Sequence, residues 1–188
     1  MDMIRILAIS GSLRKDSFNR QLALAAREAL GSSAELTLLE FADVPMMNED
    51  IEVPAPDAVK RVRETVKAAD GVWFFTPEYN HFFPGVLKNL IDWLSRPVSD
   101  GEPQVLAHKP AAISGITSGM SGTGLAQDHL VTLISYLNMD VMNAPRLKVP
   151  NAYTQADEND KLTLTVSTKF LNKQAEAFVA FIRSRRGH

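Results

Sequence analysis

The stretch from Thr76 to Leu94 constrains the fold of this chain most. An apolar run, Gly71 to Phe75, stops at Thr76-Pro77, and the loop Glu78-Tyr79-Asn80-His81-Phe82-Phe83 follows. Pro84-Gly85 then opens an amphipathic segment that runs through Leu87, Leu90, Ile91 and Trp93 to Leu94. This reads as a buried strand, a loop and a helix with proline in its first turn, where a missing N–H costs nothing. Such a loop lies at the carboxyl end of a strand, where open α/β sheets bind ligands. The pattern occurs earlier as well: an apolar strand from Ile4 to Ile9, the loop Ser10 to Asn19, then a helix.

Periodicity extends the alternation along the chain. Helices are expected over Phe18–Leu30, stopped by Gly31, and over Asp57–Ala69, with Val59, Val62, Val66 and Ala69 on one face. Others are expected over Pro84–Ser95, over Gly124–Leu137, and over Thr165–Arg183. The stripe of the fourth is Leu125, His129, Leu130, Leu133, Ile134 and Leu137; that of the last is Phe170, Leu171, Ala175, Phe178, Val179 and Ile182. Strands are expected over Ile4–Ile9, Glu35–Leu39, Gly71–Thr76 and Pro110–Gly115, with a fifth inside Asp140–Val149 interrupted by Pro145 and so suited to an edge. The proline-rich loop Phe41–Pro56 is expected over the sheet edge, and Arg96–Lys109, with Pro97, Gly101 and Pro103, is a polar excursion. Strand and helix in strict alternation imply a doubly wound α/β fold, with a five-stranded parallel sheet in the order 2-1-3-4-5. At 188 residues, with no internal repeat or linker, residues 1–188 read as one domain.

Composition narrows the chemistry. There is no cysteine, so disulfides, thiolate catalysis and Cys-ligated metals are excluded, and redox work must pass through a bound cofactor. A net charge of −2 gives no sign of a nucleic-acid surface; the basic run Arg183-Ser184-Arg185-Arg186 reads as a complement to a helix dipole. Met1 to Ile9 is too short for a signal peptide and no apolar run approaches a membrane span, so a cytoplasmic protein with no membrane partner is expected.

Three loops carry ligand chemistry. The first offers Gly11, hydroxyls at Ser10, Ser12 and Ser17, and Arg14, Lys15 and Asn19, leading into a helix whose positive end faces the loop. It is neither a G-x-G-x-x-G fingerprint nor a Walker loop, and a plain Ser-capped turn would use the same residues. The second presents Glu78, Tyr79, Asn80, His81, Phe82 and Phe83 between two prolines, flat side chains suited to a planar ring. Phe82 and Phe83 also suit packing beneath the loop or a subunit contact, and His81 reads as solvent-facing; no metal site is expected. The third, Ser114 to Gly124, is rich in Gly, Ser and Thr and should stand beside the other two.

On these residues the chain resembles the NAD(P)H-dependent FMN reductase family, in particular its bacterial quinone and chromate reductase branch. The likeness rests on Gly11-Ser12-Leu13-Arg14-Lys15-Asp16-Ser17-Phe18-Asn19, Thr76-Pro77-Glu78-Tyr79-Asn80, Pro84-Gly85, Leu87-Lys88-Asn89 and Ile91-Asp92-Trp93-Leu94-Ser95-Arg96. It implies a flavodoxin-like three-layer sandwich that binds FMN noncovalently and takes hydride from NADPH or NADH. Electrons would pass to quinones, free flavin, azo compounds or oxidised metals such as chromate by ping-pong kinetics. By position it assigns Ser10, Ser12, Arg14, Ser17, Phe18 and Asn19 to the FMN phosphate loop, and Pro77, Glu78, Tyr79 and Asn80 to the ring edge and ribityl chain. Thr117, Ser118 and Gly119 would contact the ring from the other side. One departure is Leu125, where relatives often carry an arginine.

No catalytic side chain is required for such chemistry, because flavin N5 carries it; Tyr79 and His81 are candidates for shaping substrate access. The resemblance implies a homodimer or homotetramer. The helix bearing Trp93 is a candidate interface element, with a core position for Trp93 as the alternative. Rival readings are a flavodoxin-like electron carrier, against which the modest net charge and Arg14-Lys15 argue, and a non-enzymatic flavin-binding redox sensor.

Overall fold

Strand β3 (Gly71–Phe75) is buried along its whole length at the centre of a parallel sheet. Its pleat sends Trp73 and Phe75 to one face and Val72 and Phe74 to the other, so a continuous apolar run is satisfied only by covering both faces. The computed structural model describes residues 3–97 and 102–185. Met1, Asp2, Gly101 and Arg186, which figure in the sequence reading, lie outside the described residues.

In chain order the other elements are β1 (Arg5–Ser10), α1 (Phe18–Leu30), β2 (Glu35–Leu38) and α2 (Asp57–Ala68) before β3. After it come α3 (Gly85–Leu94), β4 (Pro110–Ile116), α4 (Gly124–Tyr136), β5 (Asp140–Val141), β6 (Leu147–Val149) and α5 (Thr168–Arg185). The sheet runs β2-β1-β3-β4-β5, all pairs parallel, in agreement with the expected order. The fifth position is shared by two short strands. β5 pairs with Pro110–Ala111 at the start of β4, and β6 with Ser114–Ile116 at its end. Pro145 lies between them and cannot donate to a ladder, which explains the break.

Two apolar layers result. Leu22 and Ala26 of α1 and Leu171, Phe178 and Ile182 of α5 pack on Trp73 and Phe75. Val62 and Val66 of α2, Leu87 and Leu90 of α3, and Leu130 and Ile134 of α4 pack on Val72 and Phe74. A buried chain of hydrogen bonds fastens α5: Trp73 Nε1 donates to Ser114 Oγ at 2.8 Å, Ser114 Oγ to Gln174 Oε1 at 2.7 Å, and Gln174 Nε2 to the Ile113 carbonyl at 2.8 Å.

Several expectations are corrected. In α4 the buried row is Ala126, Leu130 and Ile134, while Leu125 and His129 are exposed; the helix carries two apolar rows and only one meets the sheet. Phe170 of α5 is likewise exposed, and Gln174 takes an inward position. Pro84 is the cap of α3 rather than its first residue. The loop after β2 lies across α3, not over the sheet edge. The Pro45 carbonyl accepts from Asn89 Nδ2 and Trp93 Nε1, both at 2.9 Å, and Met47 N–H donates to Asn89 Oδ1 at 2.7 Å. Trp93 is therefore core, with its one polar atom satisfied, and not an interface residue.

Candidate functional site

β1, β3 and β4 end side by side, and the three loops that follow them touch pairwise. Between the first and second, Gly11 N–H donates to the Phe75 carbonyl at 2.8 Å. A Cβ on Gly11 would lie 3.0 Å from Pro77 Cδ and 3.4 Å from Pro84 Cδ, so the absence of a side chain lets these loops meet. Between the second and third, Thr76 N–H donates to the Ser114 carbonyl at 2.9 Å. A Cβ on Gly115 would stand 2.4 Å from the Thr76 carbonyl oxygen and 2.1 Å from Thr123 Oγ1.

In the first loop Ser10 and Ser17 are buried, Ser12 is half-buried and Arg14 is exposed. Ser17 caps α1, its Oγ accepting from Arg20 N–H at 3.0 Å, and its own N–H donates to the Arg14 carbonyl at 3.1 Å. Ser12 Oγ accepts from Arg14 N–H at 3.3 Å, and Ser10 Oγ makes only long 3.4 Å contacts with the Ser12 backbone. Arg14 is exposed, its guanidinium carbon 5.9 Å from the Phe18 ring centre; Phe18 in turn meets Tyr153 edge to face at 5.5 Å. Hydroxyls, a guanidinium and a helix N-terminus form a donor set that matches a phosphate monoester.

The Asn19 side chain is turned inward. Its side chain is buried, donating to the Ile116 carbonyl at 2.9 Å and accepting from Ile116 N–H at 3.1 Å. It ties the first loop to the end of β4 instead of facing outward.

The second loop is a tight hairpin. Tyr79 and Phe82 exchange backbone hydrogen bonds of 2.9 and 3.0 Å, and the two residues between them, Asn80 and His81, both have positive φ, 52° and 63°. A two-residue connection with positive φ at both positions suits Asn better than His. Tyr79 and His81 are exposed, while Phe82 packs on Phe83 at 4.5 Å and on His129 of α4 at 4.4 Å between ring centres. In the third loop Thr117 N–H donates to the Val149 carbonyl at 3.1 Å, its carbonyl accepts from Ala152 N–H at 2.9 Å, and Ser118 and Gly119 are exposed.

Glu78 joins the second loop to the third. One carboxylate oxygen accepts from Ser121 Oγ at 2.9 Å, the other from Ala126 N–H at 3.1 Å, and His81 Nδ1 lies 3.6 Å away. Burial pushes this carboxyl up, but the Ala126 N–H, the Ser121 hydroxyl, His81 and the Leu125 N–H outweigh it and hold its pKa below the ordinary value. The sequence carries no signal for this contact, nor for that of Asn19, because the partners lie far along the chain and, Ser121 apart, are backbone groups.

The arrangement is that of a flavodoxin-like α/β domain in which three loops meet on one sheet edge, where folds of this kind bind ligands. Comparison with known proteins agrees. Residues 4–154 match the model of the NADPH-dependent FMN reductase family. The chain is 38% identical to an NAD(P)H-dependent FMN reductase of Pseudomonas aeruginosa over 190 residues, covering 99% of each chain. It is 34% identical to a 2-hydroxy-1,4-benzoquinone reductase of a Burkholderia species over 183 residues, 97% of this chain and 98% of that one. The solved structure of FerB, a flavoenzyme NAD(P)H:(acceptor) oxidoreductase from Paracoccus denitrificans, superposes with a TM-score of 0.87 at 32% identity, covering 97% of this chain and 99% of the other. The chain belongs to the NADPH-dependent FMN reductase family.

Proposed function

We propose that this protein is an FMN-dependent NAD(P)H oxidoreductase that reduces quinones, with free flavin, azo compounds and metal oxyanions such as chromate as further acceptors. The observation that carries the reading is the pairwise contact of three ligand-competent loops on one sheet edge, with an anion-matching donor set at one end and exposed Tyr79 at the other. FMN, when bound, would supply the electron-transfer chemistry between NAD(P)H and the acceptor.

The chain's own residues hold and expose. Ser10, Ser12, Arg14, Ser17 and the Phe18 N–H would hold the phosphate. Pro77 to Asn80 would offer backbone groups to the ring edge and ribityl chain, and Thr117, Ser118 and Gly119 would lie on the ring's other side. Tyr79 and His81, both exposed, border the path by which nicotinamide and acceptor would take turns, which supports ping-pong kinetics. A homodimer or homotetramer acting in the cytoplasm is part of this reading. The exposed Phe82, Leu125 and Tyr136 support self-association.

The test is an anaerobic absorbance spectrum of the protein reconstituted with FMN, before and after one equivalent of NADPH, then NADH. Bleaching of the flavin band, reversed by a quinone, is the expected result. A bound flavin that neither nucleotide bleaches would convert the reading to a carrier or sensor, and failure to bind FMN would end it.

A further inference from the structure

Helix α4 begins without a cap of its own. Thr123 precedes it with φ 68° and ψ 25°, a left-handed conformation, and its side chain makes no capping bond. Its Oγ1 accepts instead from Gln127 Nε2 at 3.0 Å. Gly122, also at positive φ (57°), packs against the Lys148 backbone, so the segment cannot relax toward an ordinary cap. The open N–H groups would be left in a half-buried setting but for Glu78. Its carboxylate, only 6% exposed at the side chain, reaches across from the second loop to Ala126 N–H and Ser121 Oγ.

We propose that Glu78 is a positioning residue. Its carboxylate serves as the N-cap of α4 in trans and thereby sets the spacing between the Pro77–Asn80 and Thr117–Gly119 segments before any ligand arrives. This inference rests on the flavin-binding reading above. It assigns the Glu78 side chain to the protein's own scaffold, leaving only its backbone for the ring. An isosteric amide does this work less well, since it carries no charge toward the helix N-terminus and, with its oxygen on the Ala126 N–H, turns its NH2 group toward Ser121, whose hydroxyl must then reverse to accept. The cleft would then have to be ordered at the expense of ligand affinity.

The test pairs Glu78→Gln with the milder Ser121→Ala, which removes one of the two bonds and stands in should the first fail to fold. Amide hydrogen exchange in the flavin-free protein reads the scaffold directly. Faster exchange at Leu125 and Ala126, with α1 unchanged, is expected from Glu78→Gln. FMN titration followed by flavin absorbance should show binding weakened roughly tenfold or more in Glu78→Gln, with a smaller loss in Ser121→Ala, as expected for loss of a charge-assisted contact. Unchanged exchange at Leu125 and Ala126, or FMN affinity within twofold of the parent, overturns the proposal. A parent protein that binds no FMN would instead overturn the functional reading, and the exchange experiment would still decide whether Glu78 holds α4.

Discussion

The side chain of Asn19 makes both of its hydrogen bonds to one residue, donating to the Ile116 carbonyl at 2.9 Å and accepting from its N–H at 3.1 Å. Ile116 is the last residue of β4 and is buried, so these backbone groups have no water to fall back on. Asn19→Ala should lower stability by about 2–4 kcal/mol, because two buried polar groups lose their partner. Asn19→Asp, which keeps the acceptor but loses the donor, should also destabilise. Urea unfolding at neutral pH reads both; a loss below about 0.5 kcal/mol for the alanine variant would mean the tie contributes nothing net.

Two glycines at the strand ends should respond very differently to a methyl group. At Gly115 the added Cβ would stand 2.1 Å from Thr123 Oγ1 and 2.4 Å from a backbone oxygen, which nothing flexible can relieve. At Gly11 the nearest atom is Pro77 Cδ at 3.0 Å, where a shift of a few tenths of an ångström suffices. Gly115→Ala should therefore cost about 3 kcal/mol or more, and Gly11→Ala about 1 kcal/mol. Thermal unfolding of the two variants side by side tests the order, and equal losses would contradict it.

The chain Trp73–Ser114–Gln174–Ile113 lies wholly inside the protein and should behave as a unit. Gln174→Leu leaves Ser114 Oγ and the Ile113 carbonyl each short of a partner, at a cost of about 2 kcal/mol or more. Ser114→Ala strands Trp73 Nε1 at comparable cost. In the double variant the losses should fall short of their sum by about 0.5 kcal/mol or more, because the shared bond is counted twice. Strict additivity would refute the coupling.

Sheet order and the approximate element bounds follow from period and from Pro and Gly punctuation, which are local. α1 was legible to the residue because Ser17 and Gly31 mark its ends. The three site loops were legible for the same reason: each follows an apolar run. What the sequence hid is partner choice at long range. Leu125 and Leu130 look alike by period, and only packing against the sheet decides which is buried. Asn19 and Glu78 are assigned to the ligand by resemblance, and nothing local in the sequence marks the inward partners that their side chains have. The split of the fifth strand was half legible: Pro145 announces the break, but not that both pieces pair with β4.

Arg14 stands exposed beside the α1 N-terminus, against the Phe18 ring. If the first loop receives the FMN phosphate, Arg14→Ala should weaken FMN binding roughly tenfold and leave riboflavin binding within twofold, since riboflavin lacks the group that a guanidinium recognises. Fluorescence titration of both flavins gives the ratio. An equal loss for the two would remove Arg14 from the phosphate and place its effect on the fold of the loop.

Two carboxyls should give this protein its acid sensitivity. The Arg96 guanidinium holds Glu52 below its ordinary value through bonds of 2.8 and 3.0 Å, and the donors around Glu78 do the same for that residue. A carboxyl depressed in the folded state adds stability at pH values above its unfolded pKa, here near 4.5, and that stability is lost as pH falls toward the folded value. Above that point both states are ionised and the contribution is constant; below it the unfolded chain takes up protons first. Urea midpoints should therefore hold steady from neutrality to about pH 5 and then decline. Glu52→Gln and Glu78→Gln should each start lower at neutral pH and decline less steeply, because the group that titrates has been removed. Variants whose slopes below pH 4.5 match the parent would show that other carboxyls carry the acid response.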